Sequence, residues 1–400
     1  MTLEVRREGE LIARLRKVDG RLMCEYDERI LEEVPGGTPL LSCSLPVSAI
    51  PRDASAWARG LLPEGNHLAR LAAAADVAAS DTLGLLRRYG RDVAGAFEIT
   101  SEDAQPRSPS FEVYSAAGLA DEVDGLEDSS LGIREDSELS IAGLQDKLLV
   151  VRTDDGRWAR PRYGYPSTHI LKRDSRTHPG LVAAECASLR LARSVGLSEF
   201  DAWLEAVGDE VVLFVERFDR RITDSTVTRL HQEDLLQALG ISPDAMRGRA
   251  KYQASGSLGP PSWWHMADLL DTYGVDRERE LERLFRSMLF TLLVGNADAH
   301  AKNLALILED GFVTLAPLYD IAPTQLWPRL RGTLALSIGD KFDPHSIFPE
   351  DLLREAAAWG YNREAAWRAG EDLIGRVKEA IIDHDALAEM VAGNIDRLLR

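Results

Sequence analysis

Asp298, Asn303 and Asp320 are the side chains whose types and spacing can do chemistry together. Asp298 sits in the polar run Asn296-Ala297-Asp298-Ala299-His300-Ala301-Lys302-Asn303. A carboxylate on a loop at the end of a rigid element is a candidate general base. Asn303 offers a neutral amide oxygen and Asp320 a carboxylate, and such a pair suits a hard cation such as Mg²⁺. An Asp that orients a hydroxyl, beside an Asn and an Asp that hold metal on phosphates, is the set that kinase-like phosphoryl transfer needs. The same residues also read as a capped helix followed by an ordinary hairpin, with Asp298 as a turn residue.

The elements around this run decide whether its residues meet. Leu281, Leu284, Phe285, Met288, Leu289 and Leu292 recur at helical spacing and predict a buried helix before it. Gly295 ends that helix, because glycine takes positive φ without steric cost. After the run, residues 304–308 predict a buried strand, Glu309-Asp310-Gly311 a hairpin turn, and Phe312–Leu315 the return strand. Asn303 and Asp320 then both lie at the open end of the hairpin, where antiparallel pairing brings them near each other.

Upstream stretches offer the rest of a phosphate site. Ser140-Ile141-Ala142-Gly143-Leu144-Gln145-Asp146-Lys147 leads into the apolar run 148–151. Small residues there let backbone N–H groups approach a ligand, and such donors plus a lysine make a phosphate cradle. The alternative is a hairpin edge with a solvated Lys147. His169-Ile170-Leu171-Lys172 predicts a strand whose lysine either snorkels into water or pairs with nucleotide phosphates. A helix follows over 181–195, ended by Gly196, with Glu185 near its start. Glu185 is either the ion-pair partner of Lys172 or an exposed acid favoured by the helix dipole. Residues 211–215 predict a buried strand. Glu216-Arg217-Phe218-Asp219-Arg220 after it is either a crossover between two lobes or a strand end with surface charges.

The remaining chain is read as scaffold. Residues 1–50 alternate apolar and polar, with Leu3, Val5, Leu11, Ala13, Leu15, Leu22, Cys24 and Tyr26 on one face of an antiparallel sheet and turns at Glu8-Gly9 and Asp19-Gly20. Residues 53–90 predict two or three helices broken at Leu61-Leu62-Pro63-Glu64-Gly65, and Phe97-Glu98-Ile99 a closing strand. Residues 101–137 are acidic, serine-rich and broken by Pro106 and Pro109, which predicts a linker with one short helix. Beyond residue 230 the pattern is mostly helical, with Trp263 and Trp264 expected in the core.

Bulk properties exclude several classes. A formal charge of −18 over 400 residues argues against unaided binding to nucleic acid, and leaves docking to a basic partner open. Cys24, Cys43 and Cys186 are widely spaced and odd in number, so neither a disulfide framework nor a cysteine metal site is expected, and a reducing cytoplasm is. His265, His345 and His384 are isolated and carry no metal-ligand spacing. No stretch is long enough to span a bilayer, and no membrane partner is expected.

Taken together in order, these motifs resemble the HipA toxin kinases, the serine/threonine protein kinases of bacterial toxin–antitoxin modules. The resemblance spans nearly the whole chain. It includes Leu61 to Gly65, Tyr89 to Ala96, Ser140 to Lys147, His169 to Lys172, Val215 to Arg220, Arg229-Leu230-His231-Gln232-Glu233-Asp234, Lys251-Tyr252, Asp298 to Asn303 and Leu318 to Asp320. It implies an α+β, two-lobed protein-kinase-like fold, with a mixed α/β N-terminal lobe that includes a β-rich subdomain and a mainly helical C-terminal lobe. The implied division is a HipA-type subdomain over 1–105, a linker or mobile segment over 106–137, an N-lobe with phosphate loop and hinge over 138–225, and a C-lobe over 226–400.

Residue by residue, the resemblance implies Asp298 as catalytic base and Asn303 and Asp320 as Mg²⁺ ligands. Ala142, Gly143, Leu144, Gln145, Asp146 and Lys147 would cover the phosphates of ATP, with Lys172 paired to them. Glu216, Arg217 and Phe218 would lie at the adenine side, and His300, Ala301, Lys302, Asn303, Tyr319 and Asp320 would line the nucleotide. Ser140 would be the autophosphorylated serine, whose added charge beside a phosphate site repels ATP and unseats the loop. Leu144 is bulkier than the alanine common in relatives. The implied partners are a small helix-turn-helix DNA-binding antitoxin, DNA only through that antitoxin, and a protein substrate, an aminoacyl-tRNA synthetase, whose modification arrests growth. Two other readings stand beside this one. A small-molecule or lipid kinase would share the Asp298 to Asn303 order, and a non-catalytic, nucleotide-sensing co-repressor subunit would need no transfer.

Overall fold

The computed structural model describes residues 2–103, 108–127, 147–223, 226–254 and 259–399. The chain is α+β and forms two compact units. The first comprises Met1–Arg173, Leu204–Ala245 and Leu308–Gly311, and the second Asp174–Trp203, Met246–Ile307 and Phe312–Arg400.

The first unit opens with a five-stranded sheet in the order Arg52–Asp53, Arg21–Tyr26, Glu10–Val18, Thr2–Arg7, Glu98–Ser101. Its two hairpin turns fall at the expected residues. Glu8 and Gly9 have φ of 52° and 85°, and Asp19 and Gly20 have 48° and 82°. Positive φ at both central positions gives a turn whose twist matches the flanking strands. Leu3, Val5, Ala13, Leu15, Leu22 and Cys24 point into the core as their alternation predicts. Leu11 does not. Val5 pairs with Ala13 but Arg6 pairs with Leu11, so Ile12 is an extra, bulged residue and takes the buried place instead. The helices Ser55–Gly60, Gly65–Ala74 and Thr82–Tyr89 close this core with Trp57, Leu71, Leu86 and Tyr89.

A six-stranded sheet follows in the order Ala202–Val207, Glu210–Glu216, His169–Arg173, Lys147–Arg152, Trp158–Arg162, Ser110–Val113. Its edge strand falls within the residues read as a linker. Ser110–Val113 pairs antiparallel with Trp158–Arg162, and Glu112 meets Arg160 at 2.9 Å across that pair. The one short helix expected there is Ala116–Asp124, capped by Ser115.

Residues 229–244, expected in the helical C-terminal lobe, are bonded to the N-terminal subdomain. Glu233 accepts the Cys43 amide at 2.8 Å, and Gln237 donates to the Trp57 carbonyl at 3.1 Å. Arg59 holds Asp244 through two bonds of 2.7 and 2.9 Å. Polar side chains that read as local motifs in the sequence are long-range ties here.

The second unit is mainly helical, with Leu181–Ser194, Trp263–Tyr273, Arg277–Leu293, Pro349–Ala358, Arg363–Glu379 and Asp385–Leu398 as its longer helices. Leu281, Leu284, Phe285, Met288, Leu289 and Leu292 are all buried on the Arg277–Leu293 helix. Gly295 ends it at φ 69°, and a Cβ there would also meet the Met390 sulfur. Trp263 is in the core, but Trp264 is 44% exposed. Neighbouring residues on a helix point about 100° apart, so one apolar face cannot take both. Glu185, weighed as an exposed acid, is instead buried.

Candidate functional site

The chemistry-bearing loop of the second unit is fixed by its own backbone. The Asp298 amide donates to Asn296 Oδ1 at 3.2 Å, and the His300 amide donates to the Asp298 carbonyl at 2.7 Å. The Asn303 amide in turn donates to the His300 carbonyl at 2.8 Å. Ala297 donates to Thr324 Oγ1 at 3.0 Å, so the start of the loop is also held from outside.

Asn303 and Asp320 flank the open end of a hairpin. Its strands are Ala305–Glu309 and Phe312–Leu315, joined by Asp310 and Gly311 at φ 52° and 81°. At the open end the Ala316 amide donates to the Ala305 carbonyl at 2.9 Å. One step further out, the Tyr319 hydroxyl donates to the Lys302 carbonyl at 2.7 Å. Asn303 and Asp320 are the residues next to that tie. The Asn303 side-chain amide reaches the Asp298 carbonyl at 3.4 Å. Asp320 takes φ 54°, a left-handed conformation uncommon outside glycine.

Asp298 is felt by charges from several chain segments, Asp320 among them. Burial raises the Asp298 carboxyl above the ordinary aspartate range. The charge of Lys251, a hydrogen bond from Tyr252 and the charge of Arg331 pull it back down, while Asp320 pushes it further up. Asp298 Oδ1 is shielded from solvent and has no hydrogen-bond partner among the described residues. His300 is neutral: burial, then the charge of Lys251, lowers it to about 3. Its Nδ1 also lacks a partner among the described residues.

These donors fit magnesium. An amide oxygen and a carboxylate are hard ligands, and Mg²⁺ is typically held by one or two protein groups plus substrate phosphates. The negative charge of Asp320 acts on both Asp298 and His300, which a bound cation would offset. Among the described residues no three His, Cys, Asp or Glu side chains gather into a metal cluster.

The first unit carries the expected lysines. Lys147 and Lys172 are direct cross-strand partners, so both project from one face of the sheet. Leu149 and Ile170 are partners two residues along, and Val215 pairs with Ile170 on the other side. That face therefore sets a doubly cationic row beside an apolar one.

Arg217, expected at the adenine side, has its side chain engaged within the protein. The Arg217 guanidinium is buried and donates to Asp219 at 2.9 and 2.8 Å, to Ser167 Oγ at 2.8 Å and to the Val93 carbonyl at 3.2 Å. Its amide donates to the Thr168 carbonyl and its carbonyl accepts from Arg220. A side chain with all these commitments braces the crossover and is not open to a base. Ser140 and Ala142 to Asp146 lie outside the described residues.

Sequence reasoning missed three members of the Asp298 neighbourhood, Lys251, Tyr252 and Arg331. Lys251 and Tyr252 belonged to a noted motif but were given no task. Arg331 belonged to none, and no spacing links it to Asp298.

Family models for the HipA N-terminal domain and the HipA-like C-terminal domain match residues 3–100 and 139–381. The chain is 35% identical to the putative kinase Y4mE of Sinorhizobium fredii, over 79% of its own length and 75% of that protein's. It is 29% identical to the serine/threonine-protein kinase toxin HipA of Shewanella oneidensis, over 81% and 75% of the two lengths. Among solved structures, it resembles a chain of the Shewanella oneidensis complex of HipA, HipB and operator DNA, with a TM-score of 0.81 at 26% identity. That likeness covers 99% of this chain and 96% of the other.

Proposed function

The chain belongs to the HipA family, and from that premise we propose that it is an ATP- and Mg²⁺-dependent serine/threonine protein kinase, the toxin of a type II toxin–antitoxin module. The observation that carries this reading is the state of Asp298: a carboxylate with one buried oxygen left without a partner, beside the oxygen ligands Asn303 and Asp320. Buried polar atoms are ordinarily hydrogen-bonded, so an open carboxylate oxygen at this position calls for an explanation, and proton acceptance is the one proposed.

In this reading Asp298 Oδ1 accepts the proton of a substrate serine as its oxygen attacks the γ-phosphorus of ATP, the bond from that phosphorus to the bridging oxygen breaks, and ADP leaves. A positioned base of this kind contributes about 10²–10⁴-fold to a rate. Burial, by raising the affinity of Asp298 for a proton, makes it a stronger base. Lys147 and Lys172 act as point charges on the phosphates. Asn303 and Asp320 hold magnesium, which when bound supplies charge neutralisation on the transferring group. The Tyr319 hydroxyl fixes Lys302 and so the approach of Asn303 to Asp320. Arg217 acts through the backbone it braces, leaving Glu216 and Phe218 to face the adenine.

The substrate class proposed is a serine of a translation enzyme, an aminoacyl-tRNA synthetase, with Ser140 modified by the enzyme itself. The proposed partner is a small helix-turn-helix antitoxin that carries the complex to DNA, in keeping with the HipA, HipB and operator DNA complex of the Shewanella relative and with the charge of −18 on this chain. A cytoplasmic location follows from those partners. Among the described residues no helix is long and apolar enough to cross a membrane.

The test is incubation of the full chain with γ-labelled ATP, magnesium and lysate of the source organism, followed by peptide mapping. Label on serine of a protein band is expected, and Asp298→Asn should abolish it while ATP still binds. Label confined to small molecules or lipid, or full transfer by Asp298→Asn, would overturn the reading.

A further inference from the structure

We propose that Tyr252 is a positioning residue for Asp298, held in place by Arg331 stacked on its ring. This rests on the reading of Asp298 as the base. A carboxylate rotates broadly about its last torsion, which presents either oxygen to a substrate. The Tyr252 hydroxyl bonds to the Asp298 carboxylate. Oδ1 is the oxygen without a hydrogen-bond partner among the described residues, so in this proposal the tyrosine takes Oδ2 and removes that freedom.

The tyrosine is itself built in from three sides. The Arg331 guanidinium lies 4.4 Å from its ring centroid. That guanidinium is not swinging in solvent, because Nε donates to the Thr333 carbonyl at 2.7 Å and Nη2 to the Leu334 carbonyl at 3.1 Å. The His300 ring meets the tyrosine at 5.6 Å in an edge-on contact. The Lys251 carbonyl accepts the Ala301 amide at 3.0 Å, which ties the backbone before Tyr252 to the Asp298 loop. The backbone after it is held by the Gln253 amide on the Ala335 carbonyl at 3.0 Å, and Gln253 Oε1 accepts the Ser337 amide at 2.8 Å. Ala335 in turn donates to the Ala297 carbonyl at 2.8 Å. Three separate chain segments are thus locked together around one phenol, and that phenol ends on the reacting carboxylate. Misplacement of a reacting group by about 1 Å costs on the order of 10²-fold in rate, which is the scale at which a single orienting bond matters.

Tyr252→Phe and Arg331→Met in the full chain test this, with initial rates of label transfer from γ-labelled Mg-ATP into lysate protein measured against ATP concentration. Tyr252→Phe should lower the maximal rate by about 10-fold or more, with the KM for ATP within about twofold and the melting temperature unchanged. Arg331→Met should lower the maximal rate less, again at constant KM. A maximal rate for Tyr252→Phe within twofold of the parent overturns the proposal, as does a loss that appears in KM instead. Should Tyr252→Phe fail to fold, Arg331→Met decides by the same split of maximal rate against KM. Asp298→Asn is run alongside. If it is inactive while Tyr252→Phe is fully active, the positioning idea fails and the base assignment stands. If it is active, the base assignment itself fails.

Discussion

Two groups of carboxylates in this protein make opposite use of burial. In the first unit, Asp92 and Asp219 have both oxygens engaged. Asp92 accepts from Arg220 at 2.9 Å and from the Ser167 hydroxyl at 2.7 Å. Asp219 accepts from Arg217 on both oxygens, and from the Gly95 amide at 2.8 Å. Burial works against their charge, yet the neighbouring arginines outweigh it and both sit below the ordinary aspartate range. In the second unit, Asp298 is also buried, has one oxygen without a partner among the described residues, and is shifted upward. A fully bonded carboxylate holds residues 92–95 to the crossover at 217–220. A half-bonded one is chemically available. What separates Asp298 from Asp92 and Asp219 is the count of satisfied oxygens, not depth.

The comparison breaks if the two sites respond alike to loss of charge. The largest effect expected is on catalysis: Asp298→Asn should cost about 10²–10⁴-fold in transfer rate. Its stability should be equal to or above that of the parent in urea unfolding, because a poorly solvated charge is removed. Asp219→Asn should do the reverse. Breaking a buried ion pair leaves Arg217 and Arg220 short of countercharge and costs about 3–5 kcal/mol. The same unfolding experiment reads it, while the rate per folded molecule stays near the parent value.

A third carboxylate sharpens the contrast. Glu233 is fully buried with its Oε1 on the Cys43 amide, and burial raises its carboxyl from 4.5 to about 7. A folded pKa above the unfolded one means that the stability it contributes is complete below about 4.5 and is lost as pH rises through about 7. The neutral isostere Glu233→Gln should remove that slope, gaining up to about 3 kcal/mol over the parent above pH 7. Denaturant midpoints of the two proteins from pH 4.5 to 8 check it. Parallel curves would mean that Glu233 behaves like Asp219, charged and fully compensated.

Local physics made much of this protein legible from sequence. Glycine and aspartate at Asp19-Gly20 and Asp310-Gly311 fixed hairpin turns, since only small or locally bonding residues take positive φ cheaply. Helical spacing of Leu281 through Leu292 fixed the buried face of the helix that leads to Asp298. The apolar runs on either side of Glu309-Asp310-Gly311 fixed the hairpin that follows Asn303, because a two-residue turn leaves the strands little freedom. The tertiary structure alone decided the rest. It turned Arg217 inward, displaced Leu11 by a bulge, set Lys147 opposite Lys172, and put Tyr252 and Arg331 around Asp298. Those relations join segments far apart in the chain, where no turn or period constrains the approach. Packing and the need to satisfy buried polar groups settle them only once the whole chain has closed.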